Sequence, residues 1–570
     1  MIRGTAAGLL QVLCLGCLIM AVPVRAAEMP PANAVASAHP LATRAGVAIL
    51  EQGGNAFDAA VAVTAALAVV QPMSSGLGGG GFWLLHRAAD GKEIMVDGRE
   101  RAPGAAYREM YLNDRGDVDK GKSLNGPLAA GIPGVPAGIV YLAANYGRLP
   151  LKKSLAPAIR YAREGFPVTP RYQRMVSFRL DLLKQYPSSA ALFLQDGHIP
   201  QLGYRVVQPD LGRLLERIAA VGKDAFYAGG TARRLVHGVK SAGGIWSLND
   251  LAGYHVVERA PTVTEYRGIR VVSASPPSSG GIVIGEALKI LAHFDLESMD
   301  DVARKHYVIE AMRRAYRDRA VFLGDPDYVH IPMHRLFNPD YIAGLAISIE
   351  PHRATPSKEL GDTPPLQQSG NTTTHFSIID TEGNWVSATL SVNLPFGSGF
   401  VPPGTGVLLN DEMDDFAVKP NRPNVYGLVG SDANAVAPGK RPLSSMSPTF
   451  LETPDRVGLL GTPGGSRIIS MVLLGILDFA DGHGPASWVA KKRYHHQYLP
   501  DVVQYEQGGF TWREKQGLKA MGYQLREIDR NYGDMQAVLW DKKNNRVSAA
   551  SDPRGEGVAT VEPVAGATQQ

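Results

Sequence analysis

Residues 371–380 read NTTTHFSIID, three threonines and a histidine at the mouth of an alternating apolar run. Threonine is a good strand residue, so a loop-to-strand junction is one reading of the run. The chemical reading starts from the hydroxyl, a weak nucleophile until a base removes its proton. No Ser-His-Asp grouping is legible around it. If the chain is cut just before Thr373, between Thr372 and Thr373, the freed α-amine becomes that base. Its ordinary pKa of about 7.7 to 8.0 leaves a useful fraction unprotonated at neutral pH. The β-branch narrows χ1 and steadies the hydroxyl. By itself the pattern is weak, because Thr-rich junctions are common. His375 follows the hydroxyls, but alternation places it on a strand, where it reads as a packing residue. His495 and His496 are adjacent rather than spaced along one helix face, so no metal site is expected from them.

The elements needed to hold such a nucleophile can be placed in outline. Segment 351–372, rich in Pro, Ser, Thr and Gly, is expected to be exposed and mobile. "THFSIID" and "NWVSATLSVN" form two strand runs joined at "TEG", so a hairpin with Gly383 in its turn is expected. Nearer the N-terminus, a Pro-started helix ends at Gly53-Gly54. A second helix, capped by Asn55 and apolar nearly all round from Ala59 to Val70, is expected to be buried. "SSGLGGGGF" follows, with a GxGxxG at Gly76, Gly78 and Gly81. A dinucleotide fingerprint needs strand, glycines, helix, and here the order is reversed, so a tight turn with close backbone packing is the reading. Residues 150–330 read as mostly helical.

The chain has 570 residues, a length that on average serves three or four domains, with 45% hydrophobic and 20% charged residues. A net charge of +4 is mild, and its cations are scattered, which disfavours nucleic acid. Residues 1–26, with Arg3, an apolar stretch and the ending Val24-Arg25-Ala26, read as a secretory signal. An uncleaved anchor is the minority reading, and a lipid anchor at Cys17 is weaker. Export to a periplasm or the medium is expected, with no stable membrane span after signal removal. Both cysteines, Cys14 and Cys17, lie inside that segment. The mature chain then has no thiol chemistry, no disulfide and no thiolate metal site.

Longer motifs make the junction specific. "TTHFSIIDTEGNWVSATLSVN" (373–393), "LLNDEMDDF" (408–416), "NVYGLVGSDANAVAPGKRPLSSMSPT" (424–449) and "GTPGGSRI" (461–468) closely resemble the gamma-glutamyltranspeptidases, also called glutathione hydrolases. "HPLA", "GGNAFDAAVA", "SSGLGGGGF" and "GDPDYV" resemble them too, so the likeness spans nearly the whole chain after the signal. The resemblance implies an α+β, four-layer αββα sandwich, the N-terminal nucleophile hydrolase fold, built jointly by two self-processed subunits, 27–372 and 373–570. It implies Thr373 as nucleophile, Ser391 as a hydroxyl supporting it, and Gly464 and Gly465 as the oxyanion hole. Arg99, Ser444 and Ser445 match the family's ligands for the substrate carboxylate, and Asn393, Glu412 and Asp415 those for its ammonium. Tyr426 matches a lid residue that covers the site in many bacterial members. The implied substrates are glutathione and related γ-glutamyl amides, with water, amino acids or dipeptides as acceptors. No cofactor is needed. The rivals are a β-lactam side-chain acylase with the same nucleophile and an unprocessed binding protein that has kept the fold.

Overall fold

The computed structural model describes residues 29–361, 373–419, 422 and 428–563. Thr372, Tyr426 and the signal segment lie outside these. The late hairpin forms as the alternation predicts: strands Thr374–Ile379 and Trp385–Ser391 pair antiparallel, with Gly383 at φ 83° in the turn. A left-handed residue is what such a tight connection requires, and glycine reaches it without a Cβ clash.

This hairpin is the middle of a seven-stranded antiparallel sheet. Its order is Val558–Pro563, Ala32–Ser37, Thr374–Ile379, Trp385–Ser391, Gly80–Arg87, Lys92–Gly98 and Val257–Arg259. A second sheet of six antiparallel strands runs Arg546–Ser551, Gln536–Asp541, Arg456–Gly461, Thr449–Glu452, Ile269–Ser273 and Thr262–Tyr266. Both sheets draw strands from residues on each side of Thr373. Neither sheet is complete without both ends of the chain, so the length prior of several successive domains does not describe it.

The sheets stack face to face, with helices on both outer faces. Along Gly80–Arg87, Phe82 and Leu84 enter the core shared with the second sheet, while Trp83 and Leu85 enter the core under the outer helices. Period-2 alternation between two apolar layers is how a central strand of a four-layer sandwich reads. On the first outer face lies helix Ala56–Val70, every residue buried, its N-terminus closed by reciprocal bonds between Asn55 and Asp58. On the other face lie Gly280–Leu291, Asp301–Phe322 and Ile468–Ala480. Among the described residues no helix is long and apolar enough to cross a membrane.

Residues 150–330 are mostly helical, as expected, and also contain strands Val257–Arg259 and Thr262–Tyr266, which edge the two sheets, and Ile269–Ser273, an inner strand of the second. One expectation needs correction: 351–372 is not exposed throughout, because Ala354, Thr355 and Ser357 are buried. Arg313 donates to Ser357 Oγ at 2.7 Å, and that hydroxyl donates to Tyr498 O at 2.6 Å. Polar segments bury when their polar groups find partners, and composition does not report partners. The rest of that segment, 362–372, is outside the described residues.

Candidate active site

The inter-sheet face of the hairpin is polar where an apolar core would be expected. His375 Nδ1 lies 2.8 Å from Thr389 Oγ1, and its Nε2 lies 3.2 Å from Ser377 Oγ. Ser377 and Ser387 donate across the gap to the carbonyls of Gln536 and Leu460. A buried polar layer is tolerable when every member is bonded, and it then fixes the register of the two sheets. Burial pushes the His375 pKa down to about 3, so the ring is neutral and structural. At Gly461, opposite, a Cβ would lie 2.2 Å from His375 Cε1.

This seam leads to Thr373. The register that pairs Thr374 with Leu390 sets Thr373 beside Ser391, at the end of the facing strand. Thr373 is 3% exposed and opens on a narrow cleft. Thr374 points to the opposite face and donates to Gln71 Oε1 at 2.9 Å, a packing role. Ser391 Oγ accepts the N–H of Asn393 at 2.8 Å. This turn puts Asn393 at φ 74°, a region asparagine tolerates better than most, and its amide donates to Asp411 O at 2.9 Å.

Arg99, in the turn after strand Lys92–Gly98, lines the same cleft. Its guanidinium is 1% exposed and donates to Glu412 Oε2 at 2.6 Å and Asp415 Oδ2 at 2.5 Å. It also meets Pro442 O at 3.1 Å and Glu100 Oε2 at 3.4 Å. Burial opposes its charge, but Glu412, Asp415 and Glu100 outweigh that and hold its pKa above the ordinary arginine value. Burial pushes Glu412 up to about 7 against the pull of Arg99. Glu100, sealed beside it, is pushed well above the carboxylate range by burial and by Glu412. The Glu412 carboxyl lines the cleft, and a hydrogen bond with the Ser391 side chain works with Arg99 against the burial that raises its pKa.

The loop before strand Thr449–Glu452 brings Ser444 and Ser445 to the same wall. Ser444 N donates to Pro277 O at 2.8 Å, anchoring the loop, and Ser444 Oγ accepts from Met446 N at 3.1 Å. Ser445 Oγ accepts from Arg319 Nη2 at 3.3 Å, while Arg319 Nε donates to Ser279 Oγ at 2.9 Å. Arg319 was not among the residues singled out from the sequence. Its helix, Asp301–Phe322, is dense in charge, yet Glu310, Arg313, Arg314, Asp318 and Arg319 are all buried. Burial lowers the Arg319 pKa to about 10, which leaves it charged at neutral pH and within reach of the cleft. Glu100 was missed for a similar reason, since "VDGRERAP" looks like exposed turn. The available signal was the density of charge in a helix with no apolar stripe of its own.

Gly465 lines the cleft with Thr373, and Gly464 lines the cavity next to it. Their φ values, 150° and 58°, lie where residues with a Cβ are strained. The turn Gly465–Arg467 runs directly into helix Ile468–Ala480, whose N-terminal dipole favours negative charge near these N–H groups. The structure thus gathers Thr373, Ser391, Asn393, Arg99, Glu412, Asp415, Ser444, Ser445 and Gly465 around one cleft, with Gly464 at its edge.

The gamma-glutamyltranspeptidase family model matches residues 42–562. The chain is 42% identical over 537 residues to the glutathione hydrolase proenzyme of Escherichia coli strain K12, covering 93% of this chain and 91% of that one. A cephalosporin acylase from Bacillus halodurans superposes with a TM-score of 0.81 at 29% identity, over 93% of this chain and 96% of that one. The Helicobacter pylori gamma-glutamyltranspeptidase gives 0.55 at 39% identity, over 57% of this chain and 93% of that one. A family match across nearly the whole chain, on a sandwich whose cleft is lined by a threonine just before a central strand and by a buried arginine, places this protein in the gamma-glutamyltranspeptidase family.

Proposed function

We propose that the chain is a self-cleaving γ-glutamyl hydrolase and transferase with Thr373 as nucleophile. The precursor would break between Thr372 and Thr373, giving subunits 27–372 and 373–570 that stay together because both sheets need both. The freed amine then takes the Thr373 hydroxyl proton as the oxygen attacks the γ-carbonyl carbon. The tetrahedral oxyanion would accept from the N–H groups of Gly464 and Gly465. The amine side departs with the proton, leaving a threonyl ester that water or the amine of an amino acid or dipeptide resolves. Export to a periplasm or the medium rests on residues 1–26. Tyr426, outside the described residues, is carried as a lid residue on the family resemblance alone.

The observation that carries this reading is the pairing of Arg99 with Glu412 and Asp415 in the cleft that Thr373 lines. A γ-glutamyl head is a zwitterion. Its carboxylate can take the place of an acid on Arg99 and bond Ser444 and Ser445, while its ammonium neutralises the released acids with Asn393. The exchange leaves the buried charge unchanged, which is the condition for it to be favourable. A glutaryl group has the carboxylate without the ammonium and would leave the acids uncompensated. Matched γ-glutamyl and glutaryl anilides therefore test the reading directly. Turnover is expected only with the first, and activity confined to the second would make this a side-chain acylase.

The elevated Glu412 pKa adds a pH signature. At pH 6 the carboxyl holds its proton and offers the ammonium no anion, and by pH 8 it is charged. The KM for a γ-glutamyl donor should fall as pH rises through about 7. Glu412→Gln should flatten that slope and raise KM about three- to tenfold at pH 8 through loss of a charge-assisted bond. The stability effect has the opposite sense. Because the folded pKa is raised from 4.5 to about 7, the stabilisation is complete below pH 4.5 and fades as pH climbs through 7. An unaltered KM slope in Glu412→Gln would remove this residue from ammonium binding.

A further inference from the structure

Helix Asp301–Phe322 carries five arginines, and four of them meet a carboxylate: Arg304 pairs with Asp481, Arg313 and Arg314 with Glu310, and Arg317 with Asp318. Arg319 is the exception. Only 4% exposed, it donates from Nε to Ser279 Oγ at 2.9 Å and from Nη2 to Ser445 Oγ at 3.3 Å, and it forms no ion pair among the described residues. A buried cation without a counter-ion is destabilising, so its place here calls for a role other than holding the fold together. One turn earlier on the same helix, Tyr316 OH donates to Ser466 O at 2.5 Å, in the turn Gly465–Arg467. Residues three apart share a helix face. One helix from before Thr373 thus holds two walls that come from after it, the glycine turn through Tyr316 and the serine loop through Arg319.

The two hydroxyls of that loop are oriented by what they accept. Ser444 Oγ accepts from Met446 N and Ser445 Oγ from Arg319, and both serines line the cleft with Arg99. Each hydroxyl has one proton to give, and neither gives it to a described residue. We propose that Arg319 is a positioning residue for the donor substrate: by occupying the acceptor side of Ser445 Oγ it turns that hydroxyl's proton into the cleft, toward the substrate carboxylate. A cationic donor behind the oxygen also polarises the O–H and makes it a stronger donor. This assignment rests on the γ-glutamyl reading above and adds a residue that acts on its carboxylate site through Ser445, without touching substrate.

The test uses γ-glutamyl-4-nitroanilide and 4-aminobutyryl-4-nitroanilide, which share the scissile bond and the ammonium and differ by the α-carboxylate. The wild type should prefer the first. Arg319→Met keeps an unbranched stem and removes the charge and the donors. It should raise KM for the γ-glutamyl donor about tenfold with kcat within about threefold, and leave the 4-aminobutyryl donor within about twofold. Arg319→Lys, which keeps a charged donor, should recover part of the loss. Neither change leaves a buried acid uncompensated, and two fragments on a denaturing gel would show that each variant folds and processes. A cycle with Ser445→Ala separates positioning from packing: once that hydroxyl is gone, Arg319→Met should lower kcat/KM for the γ-glutamyl donor by less than about twofold more. Additive losses in the cycle, or an unaltered KM in processed Arg319→Met, overturn this assignment alone. So does failure of both Arg319 variants to process, which would make the residue a structural one. A wild type that cleaves neither anilide, or both alike, overturns the γ-glutamyl reading and this assignment with it.

Discussion

Thr373→Ala is expected to run as one uncut chain on a denaturing gel and to show no measurable γ-glutamyl turnover, where the wild type gives two fragments. On the proposed scheme one atom has two duties. The Thr373 hydroxyl oxygen of the precursor would attack the carbonyl carbon of Thr372, turning the amide into an ester that water can hydrolyse, and in the processed protein the same oxygen would attack substrate, with the new α-amine as its base. Removing it stops both, and loss of a nucleophile commonly lowers turnover by ~10⁴-fold or more. The fold should survive, because Thr373 precedes its strand and the neighbouring anchor, Thr374 to Gln71, is untouched. Thr373→Ser should still be cut, more slowly, because the hydroxyl remains while the β-branch that restricts it is gone. N-terminal sequencing of the smaller fragment should read Thr-Thr-His-Phe. A single Thr before His would move the nucleophile to Thr374 and break the scheme, since that side chain faces away from the cleft. A wild type that stays whole would leave the binding-protein reading in its place.

The second large effect is at Arg99. Truncation to alanine leaves Glu412 and Asp415 without their buried cation, a loss that typically costs about 3–5 kcal/mol of stability. Arg99→Ala is therefore expected to accumulate poorly or as unprocessed chain. The informative variant is Arg99→Lys, which keeps the charge but not the planar fork that reaches Glu412, Asp415 and Pro442 together. It should process into two fragments and raise KM for γ-glutamyl donors by about 30-fold or more, with kcat changed much less. Losing one charge-assisted bond of about 1.5–3 kcal/mol gives that scale. An unaltered KM in folded, processed Arg99→Lys would dissociate this arginine from the substrate carboxylate.

How much of this was legible beforehand depended on how local each feature is. The hairpin, its Gly383 turn, the Asn55 cap and the buried helix after it follow from periodicity and turn chemistry within a dozen residues. Strands Thr262–Tyr266 and Ile269–Ser273 were hidden in a helical stretch because they are short and owe their form to partners elsewhere, Thr449–Glu452 among them. The glycines of "SSGLGGGGF" read correctly as close packing, and the structure supplies the reason. A Cβ at Gly79 would lie 2.1 Å from Ser391 O, at the base of the candidate nucleophile's neighbour.

The sequence alone narrowed the type of chemistry. Both cysteines lie within the first 26 residues, and a threonine where a linker meets a strand offers a hydroxyl and, on cleavage before it, an amine, a pattern made specific only by the motifs around it. Motif order named the family and paired both signs of charge for an amino-acid head. Only the tertiary structure decided that Arg99 pairs with Glu412 and Asp415. It also decided that Arg319 stands behind Ser445. Those facts join residues 99, 319, 412, 415 and 445. Burial, desolvation and mutual charge set their behaviour, and these are properties of neighbours in space, which spacing along a chain does not encode.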